Sequence, residues 1–244
     1  MRIPRVYTQQ ALASGTTVTV TGQAARHITQ VLRLRAGAIL RVFNGEGKEY
    51  SATFIRAGRT EITLDIGTPV DTLPEPGLFI RLAQGIARND RMDLILQKAV
   101  ELGTSEIQPL WMQRSQAHVR GDRLEKRIRH WHSVVASACE QCGRATLPAL
   151  LTPASFPDWI ARNADDVMRL MLQPDSTRVL ADLEQPAGTI TLLVGPEGGM
   201  NSEERTLATA AGYIGLRLGA RILRTETAAL AALSGIQTLW GDFR

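Results

Sequence analysis

"LLVGPEGGMNSEE", Leu192 to Glu204, joins an apolar run to a cluster of glycines and then to the polar start of a helix. These are the parts of a strand-loop-helix unit, with the loop leaving the carboxyl end of a buried strand. Asn201 and Glu204 have the spacing of a capping box, with Asn in place of the usual Ser or Thr. The loop does not read as a phosphate cradle. It has neither the G-x-G-x-x-G spacing of a dinucleotide site nor the G-K-[ST] of a P-loop. Glu197 also sets a fixed negative charge against any anion drawn to the helix start. Taken alone, the stretch is equally a plain tight turn. Glycines, however, let backbone approach a flat heterocycle or a ribose, and an acid suits hydroxyl donors or a cation.

On both sides of this stretch, apolar strands alternate with helices. "LFIRLAQ" (78–84) and "EIQPLW" (106–111) read as strands. Between them Asp90 to Leu102 is helical, with Met92, Ile95, Leu96, Ala99 and Leu102 on one face and Gly103 as the stop. A long helix from Asp122 to Cys142 lines up Leu124, Ile128, Trp131, Val135 and Ala138. The strands "VMRLML", "TITLLVG" and "YIGLRLG" follow, and a last helix runs from Glu226 to Trp240 with Thr225 as a plausible cap. Such alternation implies an α/β domain with a parallel sheet and helices on both faces. Ligands bind outside the carboxyl ends of open parallel sheets, so the loops "LQPDS" (172–176), "GPEGG" (195–199) and "LGARILRTETAAL" (218–230) are the chemical candidates. Two glycine-bearing loops and an acid suit a ligand with an adenosyl group and a positive sulfur, S-adenosylmethionine.

The first seventy residues are β-rich instead. "TTVTVTG" and "RTEITLDIG" alternate as half-buried strands do, and "ILRVFNGEGKEYSATFIR" carries a hairpin turn at Asn44 and Gly45. One helical piece, Gln23 to Leu34, puts Ala24, His27, Ile28, Val31 and Leu32 on one face and stops at Gly37. "TPVDTLPEPG", Thr68 to Gly77, reads as a linker. Two domains are therefore expected, a small β-barrel or sandwich over 1–72 and the α/β domain over 73–244.

At 244 residues and 44% hydrophobic composition the chain can fill both cores. Neither a leader-like apolar stretch at its start nor a run of 18 apolar residues occurs, which reads as a cytoplasmic protein without membrane contact. The net charge of +4 is unevenly spread: residues 1–72 carry 9 basic and 5 acidic side chains, 73–144 carry 11 and 8, and 145–204 carry 3 and 9. The first two stretches suit a phosphate backbone, and the same distribution describes a solvated arginine-rich surface equally well.

Several stretches also carry a resemblance. "LLVGPEGGMNSEE" with "LRLGARILRTETAAL", preceded by "QKAVELG" and "ACEQCGR", resembles the RsmE family of ribosomal RNA uridine methyltransferases. "RIPRVY" and "HITQVLRLRAG" are similar to the amino-terminal signatures of that family, so the resemblance spans nearly the whole chain. It implies an amino-terminal PUA-like β-barrel that binds RNA, a carboxyl-terminal SPOUT domain with a trefoil knot, and a homodimer. The implied reaction moves a methyl group from S-adenosylmethionine to N3 of a uridine in small-subunit (16S) ribosomal RNA. By motif position the cofactor residues are Leu172 and Pro174 in the first loop, Gly195, Glu197 and Gly198 in the second, and Leu218, Gly219, Ile222 and Leu223 in the third.

Methyl transfer to that nitrogen needs alignment and a cation for the anion that forms across the two carbonyls. Arg224 is the candidate cation, and its bland alternative is a bridge between loop and helix. Glu197 is a candidate base, or else an acceptor of amide hydrogen bonds. Lys98 reads as a helix-surface lysine. Arg2, Arg5, Arg33 and Arg35, with Arg88, Arg91 and Arg114, are candidates for RNA phosphates. The resemblance adds Glu140, Gln141 and Arg144 as neighbours of the RNA or the active site. Cys139 and Cys142 form a C-x-x-C without a second pair, so they read as packing residues despite His130 and His132 upstream, and no metal is expected. His27 reads as a packed or capping side chain. Two rival functions share these features: a non-catalytic RNA-binding factor for ribosome assembly, and a knotted methyltransferase acting on transfer RNA or a ribose hydroxyl.

Overall fold

A computed structural model describes residues 3–115, 119–162 and 167–243, apart from the Gln23 side chain. The chain divides into two compact units, Met1–Glu75 with Ala136–Leu147, and Pro76–Val135 with Pro148–Arg244. Among the described residues no helix is long and apolar enough to cross a membrane.

The first unit contains β1 (Arg5–Tyr7), β2 (Thr17–Thr21), α1 (Gly22–Arg26), β3 (Ile39–Phe43), β4 (Glu49–Ala57) and β5 (Glu61–Val70). They form a curled five-stranded sheet in the order β1-β3-β4-β5-β2, antiparallel except where β1 joins β3. The period-2 pattern decides its faces: Val18 and Val20 of β2 are buried, with Thr17, Thr19 and Thr21 outside. Leu40, Val42, Phe54, Ile62, Leu64 and Ile66 complete the core. The β3–β4 connection is longer than a two-residue turn and uses two left-handed glycines, Gly45 and Gly47, at φ 88° and 87°.

Two local expectations change here. The helix expected over 23–34 stops at Arg26 and widens into a π turn, His27–Val31, closed by the Leu32 N–H on the His27 carbonyl at 2.9 Å. Widening the turn rotates the following residues, so Ile28 is buried while Val31, expected on the same face, is 68% exposed. The expected linker also loses its first residues to β5, where Pro69 and Val70 pair with Tyr50 and Glu49 beyond a register shift.

The second unit contains β6 (Ile80–Gly85), α2 (Asn89–Glu101), β7 (Glu106–Trp111), α3 (Asp122–Cys142), β8 (Ala149–Leu150), β9 (Ala154–Ser155) and α4 (Phe156–Ile160). It continues with β10 (Met168–Leu172), β11 (Ile190–Val194), α5 (Ser202–Ala210), β12 (Ile214–Leu216) and α6 (Thr225–Trp240). The end of α3, from Ala136, groups with the first unit, which sequence periodicity did not indicate. The sheet is parallel, in the order β12-β10-β11-β6-β7-β8, with β9 paired to β7. Every residue of β11 is buried, as expected for an inner strand covered on both faces, and Leu192 stands between Leu170 of β10 and Leu82 of β6. Because β10 lies between β12 and β11, the loops leaving these three strands emerge side by side.

Candidate functional site

Those three loops enclose a cavity of about 290 Å³, close to the lower end of the range of small-molecule sites, roughly 300–1,000 Å³. Leu172 and Pro174 line it from the loop after β10, Gly195, Glu197 and Gly198 from the loop after β11, and Leu218, Gly219, Ile222 and Leu223 from the loop after β12. All nine residues assigned to a cofactor from the sequence thus meet in one place. The cavity also takes in arginines that the sequence reading left out, Arg205, Arg217 and Arg221.

The middle loop is tightly folded. The Gly199 N–H donates to the Pro196 carbonyl at 2.8 Å, and Gly199 sits at φ 68°. A Cβ on Gly195 would lie 3.0 Å from the Met200 nitrogen and 3.1 Å from the Gly199 carbonyl carbon, so only glycine leaves that backbone cradle open. The loop is fastened beneath by residues of β6 and α6. The Thr225 hydroxyl donates to the Gly195 carbonyl at 2.6 Å, and the buried Gln84 amide donates to Thr225 Oγ1 at 3.0 Å. Gly85 has no room for a side chain, because a Cβ there would meet the Pro196 nitrogen at 2.5 Å. Thr225 is therefore a loop tie within the first turn of α6, not its cap; Arg224 holds the N-cap position. Gln84 and Gly85 were missed, although they close a strand whose carboxyl end faces the site. The capping box of α5 is formed as expected, with Asn201 accepting from the Glu204 N–H at 2.7 Å and Glu204 accepting from the Asn201 N–H at 2.9 Å.

Glu197 lines the cavity, but its Oε1 accepts the Arg88 N–H at 2.8 Å and lies 3.4 Å from Arg91 Nη1. Arg91 Nε also lies 3.8 Å from Glu226 of α6. Of the two readings of Glu197, base or acceptor of amide hydrogen bonds, these contacts are those of the second: the carboxylate anchors the loop to the start of α2. The same contacts place the Arg91 guanidinium between two carboxylates. Arg224 is exposed, beside the cavity wall but not among its lining residues, and its carbonyl accepts the Ala228 N–H at 2.8 Å.

The other basic candidates separate by burial. Arg33, Arg35 and Arg88 are exposed, and Arg33 adopts a left-handed φ of 52° at the end of the π turn. Arg114, also exposed, donates to the Gly198 carbonyl at 2.9 Å. Arg2 lies outside the described residues. Lys98 is paired with Glu101 at 2.8 Å, a helix-surface lysine as expected. His130 pairs with Asp93 at 2.7 Å.

Arg5 and Arg144, in contrast, are only 9% and 8% exposed, and their assignment to RNA is corrected. Arg5 Nε pairs with Glu49 at 2.8 Å, while its other nitrogens donate to the carbonyls of Cys139 at 2.5 Å and Arg144 at 3.0 Å. It thereby gives the Cys139 carbonyl, which also accepts the Gly143 N–H at 3.1 Å, a second donor, and supplies one to the Arg144 carbonyl just beyond α3. Arg144 pairs with Glu75 at 2.8 Å. Cys139 is buried beside them, and burial pushes its thiol up to about 12, which fits a packing residue and not a nucleophile.

Glu140 accepts the Tyr7 N–H at 2.9 Å, yet burial raises its carboxyl above the ordinary 4.5. A raised folded-state value means that ionisation costs stability once the pH exceeds the unfolded value. Glu140→Gln keeps the acceptor and removes that cost. We expect it to melt at a higher temperature than wild type at pH 7, with the gain shrinking toward zero below about pH 4.5. A constant difference across that range in thermal melts would contradict this reading.

Comparison with known proteins gives two family matches. An RNA methyltransferase domain matches residues 74–237, and an RNA methyltransferase PUA domain matches residues 20–67. The chain is 30% identical to the ribosomal RNA small subunit methyltransferase E of Buchnera aphidicola, over 100% of this chain and 96% of that one. It is 30% identical to the protein of the same name from Mycobacterium bovis, over 93% and 88%. Among solved structures, the Neisseria gonorrhoeae ribosomal RNA small subunit methyltransferase E bound to S-adenosyl methionine is 38% identical with a TM-score of 0.91, covering 100% of both chains. A match over most of the chain, at these identities and with this fold, shows that the chain belongs to the RsmE family of RNA methyltransferases.

Proposed function

We propose that the protein transfers a methyl group from S-adenosylmethionine to N3 of a uridine in small-subunit ribosomal RNA. The observation that carries this reading is the cavity at the ends of β10, β11 and β12, in a chain whose relative of the same family is solved with S-adenosyl methionine bound. The lining suits the group: Leu172, Leu218, Ile222 and Leu223 offer apolar walls to a heterocycle, and the open backbone at Gly195 admits its close approach. Bound there, the cofactor supplies an electrophilic methyl group.

The chain's own residues then have two tasks. The loop ties through Thr225, Gln84 and Glu197 hold the cavity walls in one geometry, so alignment is prepared before the RNA arrives. Arg224, whose guanidinium has no carboxylate partner among the described residues, offers a cation to the negative charge that develops on the uracil ring as N3 reacts. The exposed Arg33 and Arg35 of the first unit, and Arg88 and Arg114 of the second, serve the RNA backbone. The trefoil knot, the homodimer, the cytoplasmic location and the two-domain division of labour belong to the same proposal.

The test is to incubate the protein with methyl-labelled S-adenosylmethionine and small-subunit ribosomal RNA, free or in subunits, and digest the RNA to nucleosides. Label is expected in N3-methyluridine. Label in a ribose or in another base would refute the assigned position, and no label in either substrate would favour the assembly-factor alternative.

A further inference from the structure

We propose that Arg217 and Arg221 form a phosphate clamp at the mouth of the cavity, gripping the RNA backbone beside the nucleotide to be methylated; this rests on the RNA methyltransferase reading above. Both side chains are exposed and both residues line the cavity. They occupy one loop, on either side of Gly219 at φ 72°.

Among the arginines that line the cavity, their lack of partners distinguishes them from Arg205. Arg205, the third arginine of the lining, lies 3.4 Å from Asp175. Arg91 is held by Glu197 and Glu226, and Arg114 by the Gly198 carbonyl. Among the described residues, neither the Arg217 nor the Arg221 guanidinium has a hydrogen-bond acceptor or a carboxylate partner. Other carboxylates of this unit are engaged elsewhere: Glu226 by Arg91 at 3.8 Å, Glu204 by the Gln113 and Asn201 N–H groups at 2.8 and 2.9 Å, Glu197 by Arg88 and Arg91, and Asp175 by Arg205. The Arg217 N–H donates to the Arg178 carbonyl at 2.9 Å, which brings a further exposed arginine alongside.

Composition supports the same surface. Residues 205–244 carry five arginines against two acids, reversing the acidic balance of 145–204. A uridine inside structured RNA must leave its stack to reach a cavity, and a target displaced in this way is held by its flanking phosphates as well as by its base. Two exposed guanidinium groups at the entrance supply those contacts, and they add a fixed positive field where the polyanion must approach.

The competing ligand for these groups is the carboxylate of the cofactor, and one set of measurements separates the two. Wild type, Arg217→Ala/Arg221→Ala, Arg217→Lys/Arg221→Lys and the control Arg162→Ala, an exposed arginine away from the cavity, are titrated with purified small-subunit ribosomal RNA at several salt concentrations. The same proteins are titrated with S-adenosylmethionine. The alanine pair is expected to bind RNA more weakly and to flatten the log K against log salt slope by about 1.4 to 1.8, the effect of two lost phosphate contacts. The lysine pair is expected to recover most of the slope, since a phosphate accepts a point charge, and the cofactor titration reads separately any contact of these two lining residues with the cofactor.

An alanine pair with the wild-type salt slope would overturn the clamp, whether or not cofactor binding weakened. Wild type that binds RNA but transfers no methyl group would remove the enzymatic reading while leaving the slope comparison intact. Wild type that binds no RNA would overturn both.

Discussion

Arg5→Ala is expected to destabilise the first unit by about 3–5 kcal/mol, the cost of breaking a buried ion pair from one side. Glu49 is 2% exposed and would keep its charge without its partner. The Arg144 carbonyl would lose its side-chain donor as well, and the Cys139 carbonyl would be left with the Gly143 N–H alone. Urea unfolding followed by circular dichroism should show an earlier transition, and a loss below about 1 kcal/mol would contradict the buried network. Removing both charges, as Arg5→Met with Glu49→Met, should recover much of the loss, because apolar replacements of similar volume avoid the unpaired carboxylate. If Arg5 were instead a phosphate contact on the surface, alanine would leave stability unchanged and lower only RNA affinity.

Arg224→Ala is expected to lower turnover by about 10²–10³-fold, or roughly 2.7–4 kcal/mol of barrier, by analogy with the removal of one oxyanion-stabilising donor. Because Arg224 is exposed and does not line the cavity, S-adenosylmethionine affinity should stay near wild type. A fall in kcat with the cofactor constant held is the signature of a group that acts in the transition state. Normal turnover with normal cofactor affinity would remove Arg224 from the chemistry. Weaker cofactor binding with unchanged kcat would make it a brace for the adjoining wall at Leu223.

These two arginines also mark where sequence reading works in this molecule and where it stops. The cavity was legible because its parts are local: an apolar strand, a glycine turn and a helix start recur in order, and the ends of parallel strands are where ligands bind. Adjacency of the three loops then depends only on β10 lying between β12 and β11. Arg5 was misread because its environment is made by residues 136–147, more than a hundred positions away, which join the first unit. No periodicity in either segment reports that encounter. Thr225 looked like a cap because cap residues and short hydroxyl ties share a composition, and only the position of the Gly195 carbonyl separates them. Val31 came out exposed because one extra residue in the π turn shifts the helical phase, a change invisible to a 3.6-residue pattern. Glu197 was legible as a lining residue and as an acceptor of amide hydrogen bonds, but its partners were not, since Arg88 and Arg91 reach it from a separate helix start.

Calorimetric titration of the purified protein, with Gly195→Val as the comparison and circular dichroism to verify folding, tests whether the loops after β10, β11 and β12 hold S-adenosylmethionine. Saturable binding of one cofactor per site to wild type, with binding lost in a folded Gly195→Val whose added side chain must push against the backbone of Gly199 and Met200, is the predicted result. Equal binding by the two proteins, or none by wild type, would contradict it.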